Sequence, residues 1–94
     1  MEHIKKWKDL SKEDRKQLIM KAIEVMRRDM PEVVKRHKIK EYRNFPFTRG
    51  YLQNRDSEGT GPGEAFYLGR YLCYFRDRLL EWTEKELLKD DQPF

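Results

Sequence analysis

Residues 58–75 read EGTGPGEAFYLGRYLCYF, and how this stretch folds decides the architecture. Gly59, Gly61, Pro62 and Gly63 sit close together, and an apolar and aromatic run then reaches Phe75, broken only at Gly69-Arg70. Glycine opens backbone conformations closed to other residues and proline stops regular elements, so the first cluster reads as a turn. The run behind it reads as a β-hairpin with strands at 64–68 and 71–75. Two registers compete. A two-residue loop pairs Leu68 with Tyr71 and scatters apolar side chains over both faces. A three-residue loop gathers Phe66, Leu68, Leu72 and Tyr74 on one face. The second is expected, because one buried face specifies register. It turns Tyr67, Arg70, Tyr71 and Cys73 outward or to the flank of the tip.

Upstream of the glycines, TRGYLQNRDSE reads as a short helix with Thr48 as N-cap and Gly59 as a left-handed stop. Gly50 inside it costs roughly 1 kcal/mol relative to alanine, which makes sense where the backbone must approach something closely. Residues 39–47 read as extended or looped, with Phe45 held off helical dihedrals by Pro46. Residues 31–38, PEVVKRHK, read as a short helix showing Val33 and Val34 to the core. Residues 11–30 read as a long helix, with Ser11 as N-cap, Asp14 completing a capping-box-like start, and Leu18, Ile19, Ala22, Ile23, Met26 and Met30 in one apolar stripe. Downstream, Asp77 is the expected N-cap of a last helix that buries Leu79, Leu80, Trp82 and Leu87. Residues 90–94 are expected to fray.

The chain has 94 residues, 40% of them charged and 13% aromatic, with a mean hydropathy of −1.06. That suits one small domain, and its aromatic content argues against disorder. No apolar run has the roughly 20 residues of a membrane span, and MEHIKKWKDL lacks the apolar core of a signal peptide. The single cysteine, Cys73, makes no internal disulfide, so a cytoplasmic protein is expected. Net charge is +4, and residues 35–55 alone carry +6: Lys35, Arg36, Lys38, Lys40, Arg43, Arg49 and Arg55 against Glu41. Positive charge so localised suits a surface that meets phosphates. The plainer alternative is a solvated basic loop.

One ordered set of residues resembles a known family. Leu52 in a short helix, the G-x-G-P of Gly59 to Pro62, the F-x-L-G-R of Phe66 to Arg70, Tyr74, and the D-x-L-L-E-W of Asp77 to Trp82 are similar to the small winged helix-turn-helix domains of the excisionase and AlpA-like group, in the MerR-like superfamily. The resemblance covers residues 46–84. It implies an α+β, mainly helical fold: a winged helix-turn-helix with one two-stranded hairpin wing and an extra N-terminal helix. Within a single domain, 1–44 form the helical extension, 45–89 the winged core and 90–94 a tail. Members are mostly prophage or mobile-element excisionases and transcriptional regulators. By position, helix 48–58 would enter the major groove of double-stranded DNA with Thr48, Arg49, Gln53 and Asn54, and hairpin 64–75 would be the wing, with Arg70 at its tip. Two departures stand out. The helix completing the motif is either 31–38 or 11–30. Arg55 occupies a site where relatives commonly carry a large apolar residue, so either it reaches phosphate or the helix packs differently.

The residue chemistry agrees with that function. Arginine bonds guanine O6 and N7 with two hydrogens, and Gln or Asn does the same with adenine N6 and N7. Arg49, Gln53 and Asn54 provide those groups on one short helix, whereas Lys38, Lys40 and Arg43, with Lys35 and Arg36, suit phosphates. An ordinary solvated helix face is the alternative. Catalysis finds little support. His3 and His37 are far apart in the chain, one cysteine makes no zinc set, and the glycines at 59–63 lack the lysine and Ser/Thr of a phosphate-binding loop. No cofactor, metal, membrane or small-molecule substrate is expected. A homodimer or a cooperative array on DNA is left open. The competing function is a protein-interaction module that presents the apolar stripe of the N-terminal helix to a partner.

Overall fold

A computed structural model of the chain describes residues 6–89; the tail 90–94 lies outside them. The fold is α+β and mainly helical. Helix α1 spans Lys12–Asp29, strand β1 Val33–Lys35, a 3-10 helix Arg36–Glu41, helix α2 Arg49–Glu58, strands β2 and β3 Phe66–Leu68 and Tyr71–Phe75, and helix α3 Arg76–Leu87.

Local chemistry sets the helix ends. The Ser11 hydroxyl accepts from the Asp14 amide at 3.0 Å and starts α1. Thr48 does the same for Tyr51 at 3.1 Å and starts α2. Gly59, at φ 78°, closes α2, with its own amide on the Asp56 carbonyl and the Thr60 amide on the Arg55 carbonyl. Asp77 is not the N-cap expected for α3. Strand β3 runs into the helix without a linker, Phe75 holds the cap position, and Asp77 falls in the first turn, where its carboxylate pairs with Arg27 and Arg76.

Residues 31–38 do not form the expected helix. Val33 and Val34 are β-branched and suit a strand, and β1 pairs antiparallel with β3, Val34 opposite Tyr74. The sheet therefore has three strands rather than two, in the order β1-β3-β2. The hairpin register also differs from expectation. Leu68 pairs with Tyr71 across a two-residue loop, with Gly69 at φ 64° in its first position. The expectation assumed one buried face, but this sheet uses both. Leu72 and Tyr74 face the main core with Val34, while Cys73 is buried on the other face beside its cross-strand neighbours Phe66 and Lys35. The Phe66 and Phe75 rings meet there at 4.7 Å.

The main core lies between α1, α3, α2 and the inner face of the sheet. Ile19, Ile23 and Met26 from α1 and Met30 at its C-cap join Leu79, Leu80 and Trp82 from α3, Leu52 from α2 and Ile39 from the 3-10 helix. Leu18 and Ala22, expected in the same stripe, are exposed. Phe45 and Phe47, flanking Pro46, pin the connection before α2, with the Phe47 ring 4.6 Å from Tyr51 and 5.4 Å from Trp82. No helix among the described residues is long and apolar enough to cross a membrane.

Candidate nucleic-acid interface

Helix α2 turns Leu52 into the core and leaves Arg49, Gly50, Gln53, Asn54 and Ser57 exposed. The helical repeat sets these five on its outward side. The side chains of Arg49, Gln53, Asn54 and Ser57 make no hydrogen bond or ion pair with other described residues. By contrast, Arg27, Arg36, Arg55, Arg76 and Arg78 are all engaged in ion pairs. Gly50 sits among the unpaired groups. The nearest neighbour a Cβ there would meet is Thr48 Oγ1, at 4.0 Å. No contact among the described residues therefore requires a glycine at this point of the helix.

Thr48 is spent as the N-cap, though its side chain stays at the surface. Arg55 is half-buried and turned away from the outward side. Its guanidinium lies 4.9 Å from the centre of the Tyr51 ring and donates to Tyr51 Oη at 3.1 Å and to Glu58 at 3.2 Å. That accounts for a charged residue at this position of the helix: it packs on an aromatic ring and two acceptors. Lys38 and Lys40 project from the 3-10 helix and Arg43 from the loop behind it, all exposed.

Arg70 occupies the exposed hairpin turn, its guanidinium 5.3 Å from the Tyr71 ring centre and donating to Tyr71 Oη at 3.2 Å. Tyr71 also stacks on His37, ring centres 4.3 Å apart and 18° from parallel. Lys35 Nζ stands 5.4 Å from the same tyrosine ring. Burial lowers the pKa of His37 below that of a free imidazole, and the charges of Lys38, Lys35 and Arg49 push it the same way against Glu41. Arg49 at the start of α2 thus acts electrostatically on His37, which touches Tyr71, which touches Arg70. Lys35, His37, Tyr71 and Arg70 thus form one basic and aromatic cluster at the hairpin tip.

Between α2 and the hairpin runs a groove of about 480 Å³, with Gln53 and Ser57 on one wall and Tyr67 and Leu72 on the other. Its lining also includes Arg36 and Asp56, joined at 2.9 Å. Sequence reasoning missed Ser57, His37 and the placement of Lys35 and Tyr71. The signal for Ser57 was its four-residue step from Gln53. His37 and Tyr71 required the pairing of β1 with β3, which sets Lys35 opposite Cys73 and brings the 3-10 helix that follows alongside the start of β3. Comparison with protein-family models, with curated proteins and with solved structures finds no match.

Proposed function

We propose that the chain is a sequence-specific double-stranded DNA-binding protein of winged helix-turn-helix type, acting as a small excisionase or transcriptional regulator. The observation that carries this reading is the outward side of α2. Four polar side chains there have no hydrogen-bond or ion-pair partner among the described residues, and a glycine among them leaves the backbone approachable. Unpaired Arg, Gln and Asn groups on one helix side are what base-edge recognition in a major groove uses. The order of elements supports the same reading. A helix, an edge strand, a short helix and α2 precede a hairpin whose second strand pairs with that edge strand. In this arrangement the 3-10 helix Arg36–Glu41 stands in for the first helix of the motif, and the turn Gly69-Arg70 is the wing tip. Lys38, Lys40 and Arg43 hold the backbone phosphates.

The competing use of the α1 stripe as a partner surface is not favoured, because Ile19, Ile23, Met26 and Met30 are in the core. The test is to incubate the protein with fragmented DNA from its source genome at moderate salt and sequence what is retained. A sharp motif is expected, with affinity falling steeply as salt rises. Arg49→Ala should relax preference at one position, at about 1–3 kcal/mol of discrimination. Lys38→Ala should weaken binding on every sequence and lower the salt slope by about one. Folded protein that retains no duplex at low salt would overturn the reading.

A further inference from the structure

A basic cluster lies beside α2 rather than on it. His37 stacks on Tyr71 at 4.3 Å, and its Nδ1 is buried with no hydrogen-bond partner among the described residues. An unpaired buried polar atom costs free energy, and native chains keep few of them. Cations approach the pair from every neighbouring element: Lys35 from β1, Lys38 from the 3-10 helix, Arg49 from α2 and Arg70 from the hairpin turn. Glu41 is the acidic group acting on His37, and no ion pair neutralises Lys35, Lys38, Arg49 or Arg70 among the described residues. Like charges gathered this closely repel one another, and a polyanion relieves that repulsion.

We propose that Lys35, His37 and Arg70, arranged around the Tyr71 ring, form a site for a DNA backbone phosphate beside the hairpin tip, and that His37 takes up a proton as the phosphate binds. The proposal rests on the DNA-binding reading above and adds to it a site and a proton linkage. The physical sequence is short. In the free protein burial, and after it the surrounding cations, disfavour the charged form of His37. A phosphodiester brings negative charge against the same ring and favours the imidazolium. Proton uptake on binding makes binding tighter as pH falls.

The measurement is the anisotropy of a fluorescein-labelled, mixed-sequence duplex at fixed ionic strength from pH 7.5 to pH 5.5. Wild-type affinity should rise about fivefold over that range, within the tenfold per pH unit that one linked proton allows. His37→Gln should flatten the dependence, and His37→Arg should bind tightly at every pH. His3→Gln, which alters the other histidine of the chain, should keep the wild-type slope. In parallel, the imidazole proton shifts of His37 in the wild-type protein report its titration directly, so the outcome does not depend on how well a variant folds. Its pKa should rise when duplex is added. A slope that survives in His37→Gln, a flat wild-type profile with binding intact, or a His37 pKa unmoved by DNA would overturn this site and leave the DNA reading standing. Loss of all binding at every pH would overturn both.

Discussion

Asp56 joins three parts of the chain at one carboxylate. It accepts from Arg36 Nη1 at 2.9 Å, from the 3-10 helix, and from the Tyr74 hydroxyl of β3, while itself belonging to α2. The glycine loop folds over it. A Cβ on Gly61 would collide with the Asp56 carboxylate and lie 3.2 Å from the Asp56 amide nitrogen, so close approach is the reason for glycine at that point of the turn. Removing the carboxylate leaves a guanidinium and a buried phenol without partners. Asp56→Ala should therefore cost about 2–4 kcal/mol in a urea unfolding experiment. Tyr74 adds a pH dependence. Burial, with the adjacent Asp56 carboxylate, pushes its phenol well above the ordinary tyrosine value, although Arg36 pulls the other way. The folded state thus holds this proton more tightly than the unfolded state does. Its contribution is complete below about pH 10 and is lost as pH rises beyond that. The melting temperature of the wild-type protein should fall above about pH 10, and the gap between it and Tyr74→Phe should narrow there.

Helix α2 has ten residues, too few to be stable alone in water. Its ends and its contacts hold it. Thr48 caps the start, Gly59 closes the end, Trp82 Nε1 bonds the Thr60 carbonyl at 2.8 Å, and Leu52 anchors the middle. Thr48→Ala should lower stability by about 1 kcal/mol in thermal melts, while Thr48→Ser should retain most of it. The hairpin depends differently on its neighbours. Strand β2 has only three residues and β3 is central, so β3 draws its order from β1 on one side and β2 on the other. The same pairing carries His37 to Tyr71. Local residue pattern made the hairpin legible, but the choice of loop length depended on which faces the rest of the molecule would cover.

Across the whole molecule, α1 and α3 form one packed unit. The Arg76 side chain donates to the carbonyls of Arg27 and Met30 at the end of α1, its amide meets the Glu32 carbonyl at 2.7 Å, and Arg27 pairs with Asp77. Three buried side chains of α1, with Met30 at its C-cap, complete the core. Each is worth about 1.5–3 kcal/mol of burial, against a total stability of about 5–15 kcal/mol for a small domain. Deleting residues 1–30 should therefore unfold the chain, read as loss of a cooperative melt and of native helicity by circular dichroism. A truncated chain that still melts cooperatively would return α1 to the role of a partner-binding arm.

Legibility followed range. The three α-helices, the Ser11 and Thr48 caps, the Gly59 stop and the glycine turn at residues 69 and 70 were readable because each depends on residues within one turn of the chain. So was the separation of Arg49, Gln53 and Asn54 from the core, which follows from helical repeat. Strand β1, the two-residue register, the Asp56 network, the engagement of Arg55 with Tyr51, and the stacking of His37 on Tyr71 were decided only in three dimensions. Val33 and Val34 suit either a short helix or a strand until β3 offers its edge. The register of a hairpin is ambiguous until both of its faces have neighbours. Non-local pairings such as these gain their free energy from groups distant in the chain, so no local pattern records them.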